Sequence, residues 1–422
     1  MNLINWILKI RKRVRDLWKY KIFRIAIFIH IFYFILTIFL TLKFFRYRTD
    51  FRVYYVTAEV LLRDINDLYT EGYVVPFRYL PISAIIFIPF YLMGFDTGFI
   101  MFTFLNLILN ILICVVLYKI IIIIRKEDHE KNDKRVIFYI CIFLMGLPNI
   151  YNYVLGQTNL YVILLILISL FLFLKHEEFK WNLLASFILG VSITIKPTAF
   201  LLIPFLIIIK FDLEKKEIKF DFFKSIIRII GVFVPIFLNL ILFVVYPPLW
   251  EGFMDTNFTG ENPIALSFSF SISQLITNFY YFYNIPFNQI FILIGVVSIM
   301  GGLGFIIFII RKFENNSIIL GYVFGITITL LTYFDSWDHH LLNLIPILII
   351  FNFSLPHHSQ TTTKINYGIF FFSFFSLFFA GIWFKIYRLF PYNFLTTVFL
   401  LLIFYEISRY CLLNHQKMNL EA

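Results

Sequence analysis

The chain has 422 residues, 60% of them hydrophobic and 21% aromatic, with only 14% charged and a formal net charge of +11. A soluble domain carries about 25% charged residues, so this composition, with a mean hydropathy of +0.85, excludes one and leaves a polytopic membrane protein. The apolar runs are continuous and do not alternate, which argues against a β-barrel and predicts an all-α bundle.

The positive charge does not imply nucleic acid, because it is gathered in short stretches between apolar runs, as cytoplasmic loops are. Met1–Lys21 is too basic for a cleavable signal and has no small-residue cleavage site, and the basic stretch Met1–Arg24 reads as a cytoplasmic N-terminus. Ile25–Phe45 is the first run near the ~20 residues needed to cross a bilayer. Residues 46–96 then form a first external loop. Within it Ile82–Met93, bracketed by Pro81 and Gly94, is too short to cross and is expected as an interfacial or re-entrant helix.

Thr97–Ile124 returns to the basic segment Arg125–Arg135. Val136–Leu147 leads out to Asn149–Asn159, and Leu160–Leu174 leads back to "KHEEFK". Leu183–Ile195 and Ala199–Ile209 are short helices meeting at "KPT", which predicts a hairpin whose tip stops inside the outer leaflet. Ile226–Val245 separates the Lys210–Arg228 cluster from a large loop at 246–288, in which Tyr246–Phe287 holds no Lys or Arg. The two flanks lie on opposite faces, and the basic one is cytoplasmic. Ile290–Ile310 and Ser317–Leu331 then put "YFDSWDHH" outside, and Gly368–Ile382 with Leu395–Leu412 make the last pair. The whole of 1–422 reads as one integral membrane domain.

Four polar motifs collect on the outer face. "TDFRVYY" carries Asp50 just after the first span. It is either a juxtamembrane acid beside snorkelling arginines or a partly desolvated general base. "GQTNL" is either a helix start capped by Thr158 or Asn159, or a pair of amides for sugar hydroxyls. "IKPTAF" holds Lys196, a helix-end lysine or a phosphate contact. "DSWDHH" offers Asp338, His339 and His340, but consecutive helical positions point about 100° apart, so one metal would hardly collect all three. Phosphate or sugar contact by an imidazole and Trp337 is the better expectation. Cys114, Cys141 and Cys411 sit in apolar runs without metal-site spacing. No metal or cofactor is expected.

In this order, "DFRVYYVTAEVLLRDINDLY", "PFRYLPISAIIFIPF", "GQTNLYVILLILI", "IKPTAFLLIPFL" and "DSWDHHLLNLIPIL" resemble glycosyltransferase family 87, a member of the GT-C superfamily. The resemblance implies a bundle of roughly 11–13 transmembrane helices with its active site in external loops. It implies a hexosyltransferase that moves a sugar, mannose in first place, from a polyprenyl-phosphate donor to a lipid or glycan hydroxyl. Asp50, in the first external loop, matches the catalytic acid of such enzymes. Lys196, His339 and His340 are then candidates for the donor phosphate. Tyr54, Gln157, Asn159, Gln274, Trp337 and Asp338 are candidates for sugar or acceptor. The large outer loop departs from the family pattern: it has "SFSFSISQL" at Ser267–Leu275, with Ser273 and Gln274 in altered order. The rival class is a transporter or lipid flippase, against which stand polar groups gathered at one face and no evident inverted repeat.

Overall fold

The computed structural model describes residues 17–70, 76–125, 129–259, 269–312, 317–356, 359–386 and 393–413. Most of the basic N-terminus and part of "SFSFSISQL" therefore lie outside the described residues. The described chain is nearly all helix, as its continuous apolar runs predict.

Seven helices among the described residues are long and apolar enough to cross a membrane: Lys21–Phe45, Phe95–Ile124, Lys134–Leu155, Phe222–Val245, Gln289–Ile309, Gln360–Ile386 and Phe394–Leu412. Shorter apolar helices run over Pro81–Leu92, Asn159–Lys175, Phe179–Ile195, Pro197–Leu206 and Ser317–Thr332. This is a multi-pass membrane protein with a many-helix architecture.

Burial sorts these helices into centre and rim. Only 11% of the apolar window of Gln289–Ile309 is buried, against 72% for Lys134–Leu155. The first turns Phe291, Ile294 and Ile299 outward, as a lipid-facing helix must. Ser317–Thr332 is enclosed from Ile319 onward, and Leu341–Ser354 is enclosed as far as Phe353. A helix wrapped by other helices need not match the bilayer thickness by itself, which explains why the central elements are short. Where Phe179–Ile195 crosses Phe222–Val245, a Cβ on Gly190 would lie 2.2 Å from the Val232 carbonyl oxygen. Glycine there lets the backbones touch, as small residues do at membrane helix crossings.

In detail the elements differ from the sequence reading. The return leg expected over Ala199–Ile209 is a 3-10 helix, Pro197–Leu206, with Pro204 inside it removing a donor that an α-helix needs. The chain then forms an antiparallel hairpin, Ile209–Asp212 with Glu217–Phe220, paired from Ile209↔Phe220 to Asp212↔Glu217. Its turn is closed by Lys216 at φ 54°. The large loop at 246–288 contains two helices, Pro247–Met254 and Ile272–Phe282. Ile82–Met93 is a 3-10 turn, Pro81–Phe87, running into one helical turn, Ile88–Leu92. It reverses at Gly94, φ 77°, into the 30-residue helix Phe95–Ile124.

Candidate active site

One end of the bundle holds a cavity of about 370 Å³. Its wall is built from the helix after the first span, the segment before Pro81, "GQTNL", "IKPTAF" and "YFDSWDHH". Residues far apart in sequence meet there, such as Arg78 and Asp335, 257 positions apart.

Asp50 is the first residue of helix Asp50–Arg63, whose N-cap Thr49 accepts from the Arg52 amide at 3.3 Å. A carboxylate at that end is favoured by the helix dipole. The helix is anchored by Phe51, which is fully buried among Phe90, Phe95, Phe99 and Phe102. Across from it, the helix Leu147–Leu155 ends at Gly156 in the left-handed conformation, φ 68°. A Cβ on Gly156 would lie 2.5 Å from Phe51 Cβ. Glycine is needed twice here, for the dihedral and for the contact that sets the Asp50 helix against Gln157.

Gln157 is the hub. Its Nε2 donates to the Asp50 carboxylate. Its Oε1 accepts from Lys196 Nζ at 2.9 Å and from Tyr54 Oη at 3.0 Å, with Tyr79 Oη at 3.5 Å. Lys196 also donates to Asn159 Oδ1 at 3.1 Å and stands over the Tyr79 ring, 5.5 Å from its centroid. Asn159 in turn donates to Asn152 at 3.0 Å. Lys196 is held extended, φ −154° and ψ 120°, as a residue before proline must be, and this breaks the chain between two helices and turns the amine into the cavity.

The opposite wall is the "YFDSWDHH" loop. Asp335 pairs with Arg78, which bridges this loop to the segment before Pro81. The Trp337 amide donates to His340 Nδ1 at 3.1 Å, which leaves the ring proton on Nε2. The His339 and His340 rings lie 4.3 Å apart between centroids. Phe270 donates its amide to the Ser336 carbonyl at 3.0 Å, tying the loop at 246–288 to this wall.

Electrostatics follow from enclosure. Asp50 opens to the cavity but is otherwise surrounded by protein, and this desolvation raises its carboxyl above the usual range. The Gln157 bond and the Lys196 charge oppose that rise, and Asp335 adds to it. Burial lowers Lys196, with Asp50 and Asp335 pulling the other way. Burial beside Lys196 also holds His339 and His340 well below their usual range, so both imidazoles are neutral at pH 7. The cationic side chains of the cavity are Arg48, Arg78 and, in its protonated form, Lys196, whose amine burial lowers to about 7.

Of the residues predicted from sequence, Asp50, Tyr54, Gln157, Lys196, Trp337, His339 and His340 line this one cavity. Asn159 stands behind it, on Lys196. Asp338 points away and accepts from Ser376, and burial pushes its carboxyl up to about 6. Gln274 is buried elsewhere, with its amide donating to Asn278 at 2.7 Å. Arg48, Arg78, Tyr79, Tyr333 and Asp335 line the cavity without having been singled out as site residues. Arg78 and Tyr79 stand in the quoted "PFRYLPIS", where an arginine between aromatics beside a short apolar helix was the available signal.

The Gly156 geometry makes a direct prediction. Gly156→Ala should lower stability by about 1–3 kcal/mol, from left-handed strain and displacement of Phe51. The melting temperature in detergent should fall and activity with it. An unchanged melting curve would mean that Phe51 yields without cost.

No characterised protein and no solved structure matched the chain. A family model did match, over residues 77–332, more than half of the chain. That span takes in Arg78, Tyr79, Gln157, Asn159 and Lys196, with Asp50 before it and Asp335–His340 after it. The chain belongs to glycosyltransferase family 87, and is a membrane-embedded glycosyltransferase.

Proposed function

We propose that the protein transfers a sugar, mannose in first place, from a polyprenyl-phosphate donor to a lipid or glycan hydroxyl on the extracytoplasmic face. Asp50 is the general base. It accepts the proton of the acceptor hydroxyl as that oxygen attacks the anomeric carbon. The bond from that carbon to the phosphate oxygen breaks, and its electron pair leaves on the polyprenyl phosphate. A phosphate ester departs as an anion, so its charge needs stabilisation more than protonation. Lys196 supplies that stabilisation in a cavity with little water, together with the neutral Nε2–H of His340. Trp337 and Tyr54 face the sugar and acceptor. With one base and no carboxylate nucleophile in the proposal, transfer is a single displacement with inversion.

The observation that carries this reading is a carboxylate and an ammonium held at the two ends of one amide, inside a cavity with further cationic walls. A general base needs a carboxylate that is desolvated yet open to substrate, and an anionic donor needs fixed cations. The decisive experiment supplies purified protein with labelled polyprenyl-phosphate mannose. Labelled glycolipid or glycan with inverted anomeric configuration is expected. Retained configuration would sink the single displacement, and consumption of a different prenyl-linked sugar would sink mannose alone.

Sidedness rests on charge and is tested separately. Glu251 is exposed on the outer-loop helix Pro247–Met254, and Glu217 is exposed on the hairpin. Glu251→Cys should label with an impermeant thiol reagent in intact cells, and Glu217→Cys only after permeabilisation. The reverse pattern would put the cavity on the cytoplasmic side.

A further inference from the structure

We infer that Gln157 is a positioning residue that keeps the base and the cation of the site apart while joining them, and not a sugar contact. The inference rests on Asp50 being the base, as proposed above.

The orientation of the Gln157 amide is fixed by chemistry. Lys196 has only donors to offer, so the oxygen of the amide must face it, and the nitrogen must face Asp50. Both acceptor sites of Oε1 are taken, by Lys196 at 2.9 Å and Tyr54 at 3.0 Å. One N–H is given to Asp50, so a single N–H is left over. A side chain so engaged has little capacity to read a sugar. The same loop fixes it from behind, because the Asn152 amide donates to the Gln157 carbonyl at 3.3 Å.

The arrangement has a chemical consequence. A direct Asp50–Lys196 ion pair would stabilise the carboxylate and weaken it as a base, and would occupy the ammonium. An amide between them cannot titrate. It gives Asp50 one hydrogen bond at Oδ2, which fixes the plane of the carboxylate and leaves Oδ1 for an incoming hydroxyl. It gives Lys196 one acceptor and leaves the ammonium a further donor beyond Asn159. Tyr54 and Tyr79, bonded to each other at 3.0 Å, hold the amide oxygen in place.

The test is Gln157→Glu, which keeps the shape, removes the N–H toward Asp50 and places a second carboxyl beside it. The titratable groups facing Asp50 are then that introduced carboxyl, Lys196, Asp335, Tyr54, Tyr79 and Tyr151. Infrared titration of purified protein identifies the protonated Asp50 carboxyl as the band missing in Asp50→Asn. In Gln157→Glu that band should titrate at least about one pH unit higher, because neighbouring carboxyls resist ionising together. The acid limb of mannose transfer should move with it, making transfer about tenfold slower at a given low pH. An Asp50 band that does not move, with losses confined to the acceptor KM, would overturn the inference and return Gln157 to sugar binding. If instead the band moves but Asp50→Asn still transfers normally, the positioning role stands and the base assignment fails.

Discussion

Asp50→Asn is expected to lower turnover by about 10²–10⁴-fold, the usual contribution of a general base. At 1.36 kcal/mol per decade this is about 3–5 kcal/mol of barrier. The substitution keeps the shape of the side chain, its place at the helix start and an oxygen for the Gln157 bond, so insertion and donor binding should survive. A single-turnover assay with saturating acceptor separates the two. The pH dependence supplies a second check. Enclosure raises the Asp50 carboxyl, and a base must be deprotonated, so activity should be full above that raised value and lost as pH falls through it. The loss should come at a higher pH than an ordinary carboxylate gives. Near-normal transfer by Asp50→Asn would reduce Asp50 to a structural acid of the cavity wall. Asp335 would then be the next carboxylate to test, since it lines the same cavity.

Much of this site was legible in the sequence because membrane segments announce themselves. Charge clusters assigned one face to all four polar motifs, and the fold gathers those four motifs around one cavity. Asp50, Gln157, Lys196 and the histidines were readable as polar residues placed where apolar ones would be expected. What could not be read was which polar residues serve the cavity and which serve the frame. Asp338 and His340 are two positions apart, yet one accepts from Ser376 and the other lines the cavity. That choice is made by the helical phase of a single 3-10 turn, Asp338–His340. Arg78 escaped notice for a related reason. An arginine near the end of an apolar stretch is usually a snorkelling side chain, and its partner Asp335 lies 257 positions away. The hairpin at Ile209–Phe220 was missed because it follows a 3-10 helix that reads as an ordinary apolar run.

Lys196→Met should separate cation from frame. Methionine keeps a straight apolar side chain over the Tyr79 ring and removes only the ammonium. Gln157 Oε1 retains the Tyr54 donor, so the amide that bonds Asp50 keeps a partner on its far side. Loss of a preorganised donor to a developing anion costs about 10²–10³ in kcat. Here the phosphate is already charged in the bound donor, so the contact exists before reaction, and affinity for polyprenyl phosphate should fall together with turnover. This differs from Asp50→Asn, which should slow chemistry and leave donor affinity near its original value. The pH behaviour differs as well. Burial lowers the Lys196 amine, so its charge is present below that lowered value and lost as pH rises through it. Donor affinity in the wild type should therefore weaken at a lower pH than for a solvated lysine, and in Lys196→Met that alkaline limb should disappear. Equilibrium binding of polyprenyl monophosphate across the pH range measures both. Should Lys196→Met bind the phosphate as tightly as wild type at every pH while turnover collapses, the amine would not touch the donor at all. Arg78 would then be the cation to follow, because it keeps its charge across that range and faces the same cavity.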